Sequence, residues 1–215
     1  MLDTSRSLRL KGNFFARPDW FRTDVTRGVT RNPLGERVCT LTSDFLLGFR
    51  DAMIYECGPA ASAVLKSAGK RWGGQFAHRL DKAVKEFYGT PWRELQRGVQ
   101  ITVLTEAFAA HGWGRLSVDW ERWPDYLGVR LENSIYPDLI LQADKPSDAL
   151  FAGFLKSIFE YLLETQLECL QTDCPTCEAT ASGFVLGTPA AIQDVEARFA
   201  KTLGREGTLR EVLAS

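Results

Sequence analysis

The stretch His111-Gly112-Trp113-Gly114-Arg115-Leu116-Ser117-Val118-Asp119-Trp120, continued by Trp123-Pro124-Asp125 and Leu127-Gly128-Val129-Arg130-Leu131-Glu132-Asn133-Ser134, decides the fold class. Before Gly114 apolar residues recur at helical spacing; after it they alternate. Leu116, Val118 and Trp120 are separated by polar residues, Trp123-Pro124-Asp125 turns the chain, and Leu127, Val129 and Leu131 alternate again. A period of two sends successive side chains to opposite faces, so the stretch is expected to be an antiparallel hairpin with one buried face.

Working outward, the flanking segments carry the helical period. A helix is expected after Thr42-Ser43-Asp44, with Phe45, Phe49, Ala52 and Met53 along one stripe, ending at Gly58-Pro59. A second runs through Val64, Leu65, Trp72, Phe76 and Leu80 to Phe87, with Gly69, Gly73 and Gly74 inside it. Glycine costs roughly 1 kcal/mol against alanine in a helix, so this helix either packs closely against another backbone or bends. A third is expected from Pro91 through Trp92, Leu95, Val99, Val103 and Phe108.

Downstream, residues 137–147 have the composition of a loop and 148–163 form a strongly apolar helix containing Phe151, Phe154, Leu155, Ile158, Phe159 and Leu162. Residues 164–171 and 177–187 form a second strand pair around a Cys-rich turn, and Pro189 opens a last helix through Ile192, Val195 and Phe199. Residues 1–40 form a polar arm with aromatic bursts at Phe14-Phe15 and Trp20-Phe21, packing onto this subunit or another; residues 41–215 form the domain. Helices and strands are segregated, so the expected fold is α+β: helices packed on a small antiparallel sheet made of two hairpins.

The chain has 215 residues, with 26 Lys plus Arg against 27 Asp plus Glu. That balance provides no field to hold a nucleic-acid backbone. No run approaches the ~20 apolar residues of a membrane span, and the start lacks the apolar core of an export signal, so a cytoplasmic protein without a transmembrane segment is expected. Six Trp against two His disfavour a His-rich catalytic centre and leave an apolar cavity or interface open. No dinucleotide fingerprint, phosphate loop or Ser/His/Asp arrangement is present, and no catalytic residue is assigned.

A pocket for an apolar ligand needs an aromatic and aliphatic wall with few polar anchors. Phe108, Trp113, Trp120, Leu131, Phe154 and Tyr161 could supply it; for any one of them plain core packing is the competing reading. His78 or His111 could ligate a metal held in a planar ring, or be surface and capping histidines; His111 is preferred because it adjoins Trp113 at the hairpin mouth. Of five cysteines, Cys169, Cys174 and Cys177 cluster as C-x4-C-x2-C. They could bind zinc, although a fourth ligand is missing, or be reduced thiols in a strand–turn–strand.

The order of four local patterns resembles the 4-vinyl reductase domain family, within the broader group sharing the TRAPP-subunit and haem–nitric-oxide-domain fold. They are Gly58-Pro59-Ala60-Ala61 followed by Ser67-Ala68-Gly69-Lys70-Arg71-Trp72-Gly73; His111-Gly112-Trp113-Gly114; Val129-Arg130-Leu131-Glu132-Asn133-Ser134; and Ala152-Gly153-Phe154 followed by Cys169-x7-Cys177. The resemblance implies a homodimer and a hydrophobic ligand. Metal-binding relatives place a Cys before the Gly-Phe helix, then Glu-x2-Cys-x7-Cys. Here Pro146-Ser147-Asp148-Ala149 has no Cys and Gln166 stands at the Glu position, so the implied zinc site is degenerate, with Cys174, Glu164 and Glu168 as candidate substitutes. Phenol-sensing relatives carry Trp where Leu131 stands.

The long arm resembles stand-alone cyanobacterial members associated with photosystem II assembly. That resemblance implies a tetrapyrrole ligand (chlorophyll-like or bilin), photosystem II assembly intermediates as partners and a peripheral place at the thylakoid membrane. The expected function is therefore non-catalytic binding of a hydrophobic small molecule, a tetrapyrrole. The alternatives are a dimeric scaffold without a ligand and a reductase of a vinyl group on a chlorophyll precursor.

Overall fold

A computed structural model describes residues 14–15, 20–135, 137, 147–177 and 179–215. The described chain opens with β1 (Arg22–Asp24), β2 (Val29–Arg31) and β3 (Arg37–Val38), a small antiparallel sheet. Then come α1 (Ser43–Cys57), α2 (Ala61–Tyr88) and α3 (Arg97–Ala110), the hairpin β4 (Arg115–Asp119) and β5 (Leu127–Glu132), and α4 (Ala149–Leu163). A second hairpin, β6 (Glu168–Asp173) and β7 (Ser182–Gly187), is followed by α5 (Pro189–Phe199) and α6 (Thr208–Ala214). The hairpins join through β5 and β7, giving an antiparallel sheet of order β4-β5-β7-β6. The fold is α+β, with the sheet built from the two hairpins the alternation predicts.

The long helix α2 lies against α4, and its glycines explain how closely. A Cβ at Gly69 would run into the Leu150 carbonyl oxygen, one at Gly73 into that of Phe154, and one at Gly153 of α4 into that of Lys66. Gly74, by contrast, would meet nothing within 4 Å. Close packing is therefore the role of Gly69 and Gly73, and Gly74 has no such reason. Phe76, Leu80 and Val84 of α2 are buried with Phe151, Phe154, Leu155 and Ile158 of α4. The same core takes Leu116, Val129, Leu131, Cys169, Phe184 and Leu186 from the inner face of the sheet. The outer face carries a smaller cluster of Val185, Ile192, Val195 and Val212 under α5 and α6.

Three details differ from the sequence-based expectation. The third helix begins at Arg97, not Pro91, because Trp92 is fully buried and donates its indole N–H to the Gln100 carbonyl at 3.0 Å. Gln100 Nε2 in turn donates to the Arg93 carbonyl at 2.7 Å, which holds Trp92–Glu94 as a 3-10 turn. Helix α6 was not anticipated, being one short amphipathic segment; Asp173 accepts the Leu209 amide at 2.8 Å near its start. Nor was the β1–β3 sheet, whose strands are too short to show a period. Of the expected loop, residues 138–146 lie outside the described residues, as do 1–13 and 16–19 of the arm.

The described part of the arm packs onto this subunit. Phe14, Trp20 and Leu34 are buried in the main core, and the Phe14 amide donates to Tyr88 Oη at 3.2 Å. Helix α1 is the contrast: none of its residues is buried, and Phe45, Phe49, Ile54 and Tyr55 are exposed.

The two adjacent glycines separate packing from propensity. Gly73→Ala is expected to lower the free energy of unfolding by about 1–3 kcal/mol through overpacking. Gly74→Ala is expected to raise it by about 0.5–1 kcal/mol through lost chain entropy in the unfolded state. Urea denaturation of both variants checks this; equal effects would contradict the helix contact.

Candidate functional site

His111 follows the last turn of α3, and its imidazole folds back onto that helix. Nδ1 lies 2.7 Å from the Ala107 carbonyl oxygen. A carbonyl only accepts, so Nδ1 carries the proton and Nε2 is an acceptor in the neutral ring. Nε2 is 3.2 Å from Asn32 Nδ2, which donates to it. The orientation of the Asn32 amide follows from its other bonds. Its Oδ1 accepts the Leu34 and Glu36 amides at 3.1 and 3.0 Å, and its Nδ2 also donates to Glu36 Oε2 at 2.7 Å. Glu36 Oε1 completes the chain with an ion pair to Arg79 of α2 at 2.7 Å.

Aromatic rings surround this imidazole. Trp113 stacks on it with centroids 4.4 Å apart and planes 24° apart. Phe76 and Trp20 stand edge-on at 5.6 Å, and Phe21 at 6.0 Å. Burial among these rings lowers the His111 pKa below the usual histidine value, against the smaller opposing effects of the Ala107 bond and the Glu36 charge. The site thus holds a neutral hydrogen-bond acceptor inside an apolar wall.

Four of the sequence-predicted residues belong to one aromatic cluster. Trp113 touches Phe108 at 5.4 Å, Phe154 at 5.4 Å and Phe76 at 5.2 Å, and carries His111 on its face. Leu131 is buried in the same core. The other three lie apart from His111 in contact terms. Trp120 packs on Trp123 and Phe159, with the Arg97 guanidinium 4.8 Å above its ring. Tyr161 meets His78 edge-on at 5.0 Å, and burial together with Asp81 pushes its phenol up to about 12. Trp20, Phe21, Asn32, Glu36 and Arg79 were missed as site residues. The Asn32-Pro33-Leu34-Gly35 turn was visible in sequence, but not the surface it would cap.

The cysteines sit differently from a metal centre. Cys169 is fully buried on the inner face of β6, and burial pushes its thiol up to about 12. Cys174 Sγ lies 3.0 Å from Thr176 Oγ1 and accepts the Ser147 amide at 3.4 Å; Cys177 is partly buried. Asp148 accepts the Ser182 hydroxyl at 2.5 Å, and Gln171 Oε1 accepts the Asp148 amide at 2.8 Å. Gln166 is exposed. Among the described residues no three His, Cys, Asp or Glu side chains converge on one point. These donors do not fit a four-ligand zinc site; hydroxyl and amide groups occupy the places beside Cys174 and Asp148.

A cavity of about 770 Å³ opens on the outer face of the sheet, between β4, β5 and α6. Asp119, Arg130, Asp173, Glu206 and Arg210 are among its lining, so it is a polar groove unlike the aromatic wall around His111.

No family model matches the chain, and no curated protein matches it. Among solved structures, the phenol-responsive sensory domain of the transcription activator PoxR with phenol aligns over 93% of this chain and 97% of that chain, at 15% identity and TM-score 0.67. A vinyl-4-reductase family protein from Methanocaldococcus jannaschii aligns over 69% of this chain and 82% of its own, at 16% identity and TM-score 0.48. A trafficking protein particle complex subunit 3 from Naegleria fowleri, covalently bound to palmitic acid, aligns over 67% and 93%, at 14% identity and TM-score 0.40. The chain shares the fold of the PoxR sensory domain.

The pKa of His111 sets a pH dependence. Folded His111 binds a proton less readily than the unfolded chain, where it titrates near 6.5. Its stabilising neutral form is therefore fully available above about 6.5 and is lost as pH falls through the lower folded value. Wild-type Tm should fall between pH 7 and 5 more steeply than that of His111→Gln. Glu168, held at about 2 by Lys156 and Lys66 against the cost of its burial, adds a loss below about 4.5 common to both proteins. Parallel Tm curves above pH 5 would contradict the role given to His111.

Proposed function

We propose that this chain is a non-catalytic binding module for a small hydrophobic ring compound, held against Trp113 and hydrogen-bonded to Nε2 of His111. The observation that carries this reading is the neutral imidazole, an acceptor enclosed by Trp20, Phe21, Phe76 and Trp113. Apolar sites obtain affinity from ring burial and orientation from one or two polar groups, which is the composition found here. The shared fold with a domain whose structure contains phenol supports the same class of ligand. Leu131, standing where phenol-sensing relatives carry Trp, offers no polar group, so in this reading His111 is the anchor.

The finer expectation, a tetrapyrrole held during photosystem II assembly, is supported by the sequence resemblance of the arm and hairpin. It forms a second arm of the same test. Phenol, chlorophyllide and a bilin are titrated into the protein, following tryptophan fluorescence for all three and the red absorbance band for the pigments. Saturable binding of at least one is expected, weakened about 10-fold by His111→Phe through loss of one hydrogen bond. Saturation by none of the three, or equal affinity of the variant, sinks the reading.

A second reading, a homodimeric scaffold, is favoured by α1, which leaves Phe45, Phe49 and Ile54 exposed along one helix. Phe45 and Phe49 stand one turn apart on the same face, and exposed apolar neighbours of this kind mark interaction surfaces. If α1 pairs two copies, Phe49→Glu with Ile54→Glu should halve the mass measured by light scattering without changing the circular dichroism. An unchanged mass removes α1 as the interface.

A further inference from the structure

We infer that the segment Trp20–Val38 is an internal occupant of the His111 site, a strap that a ring compound displaces on binding. This rests on the ligand reading above. The first observation is that the acceptor a ligand would use is already taken: Asn32 donates to His111 Nε2 at 3.2 Å. The second is that two rings of the aromatic wall, Trp20 and Phe21, belong to the same strap. An aromatic ring bearing a donor reproduces both kinds of contact, so binding exchanges one set of like interactions for another. The energetic demand on the ligand is the difference between the two sets, not the whole of either.

The third observation is that the strap is built as a separable unit. Its strands pair with one another, Arg22 with Arg31 and Thr30 with Val38 at the ends of the two registers. The Asn32–Glu36 turn closes on itself, Asn32 N–H to Glu36 O at 3.1 Å and Gly35 N–H to Asn32 O at 3.0 Å. β1 is exposed throughout. The α2–α4 contact that holds the domain uses none of these residues. The strap can therefore leave His111 without unmaking its own turn or the α2–α4 contact, giving up the burial of Trp20 and Leu34 against the core. The Glu36–Arg79 pair is its charged tether, with the Arg79 side chain 39% and the Glu36 side chain 16% exposed. Occupancy of the site would then be reported as release of a defined surface segment, which is what a sensor or a staged scaffold requires.

Because only the open form is competent, apparent affinity is reduced by the open fraction, and loosening the strap raises it. Phenol is the probe, with the full chain, Asn32→Ala and Glu36→Gln as the proteins. Asn32→Ala is expected to bind phenol about fivefold more tightly than wild type, the equivalent of one net hydrogen bond. Glu36→Gln, which weakens the tether but keeps an acceptor for Asn32, should show a smaller shift in the same direction. In wild type, phenol should raise hydroxyl-radical labelling of the Trp20 and Leu34 side chains, which are buried in the closed form, while leaving the amides of α2 and α4 protected from hydrogen exchange. Phenol binding with labelling of Trp20 and Leu34 unchanged or lowered, or with Asn32→Ala no tighter, overturns the strap alone. Absence of phenol binding by all three proteins overturns the ligand reading for phenol and the strap with it.

Discussion

Two helix backbones approach each other where α2 presents Gly69 and Gly73 and α4 presents Gly153. A methyl group at any of these positions would occupy the space of a carbonyl oxygen on the other helix. The close approach brings many atom pairs within dispersion range and lets Ser157 donate to the Lys70 carbonyl at 2.8 Å. It also sets where the flanking side chains go. Trp72 and Phe76 of α2 come into ring contact with Phe154 of α4, and Trp113 completes that cluster from the entrance to the hairpin. The other side of α4 covers the inner face of the sheet. Helix spacing, aromatic cluster and sheet position are consequences of one backbone contact.

Two polar arrangements are tied to this core, and they differ in kind. At the start of β6, Glu168 is bracketed by Lys66 of α2 and Lys156 of α4, each at 2.6 Å, and Lys66 also donates to the Cys169 carbonyl at 2.8 Å. One carboxylate is shared by two ammonium groups, one from each helix, so this group clamps the strand to the helix pair. At His111 the imidazole is kept neutral, its ring faces are covered by aromatics, and its free nitrogen is bonded by a side chain from a surface segment. The first arrangement is an ion-pair clamp on a strand; the second is a single hydrogen bond from Asn32 to a neutral ring.

Much of the fold was legible because periodicity carries it. The switch to a period of two after Gly114 located β4 and β5, and the apolar run of α4 located the helix buried on both sides. The start of α3 was misplaced because Pro91 is a good helix opener locally, while burial of Trp92 and its bond to Gln100 hold the chain in a different turn. The candidate site was legible in part. His111 and Trp113 are neighbours in sequence, and Phe108 lies one turn earlier on the same helix, so local geometry was sufficient. Tyr161 and His78 were grouped with them by residue type, yet they meet each other instead, and Tyr161 meets Asp81. Nothing in a helical stripe states which of its aromatics share a cluster.

The amino-acid sequence by itself determined the α+β class, the two hairpins, the glycine-bearing helix and the pairing of an imidazole with an indole at the hairpin mouth. Each depends on residues close along the chain, where spacing and backbone preference act directly. The tertiary structure alone decided that Gly69 and Gly73 meet α4 while Gly74 does not, that Cys174 has the Ser147 amide and hydroxyl as neighbours, and that Asn32 reaches His111. Those outcomes join residues separated by tens of positions, and they follow from which surfaces the packed core leaves adjacent.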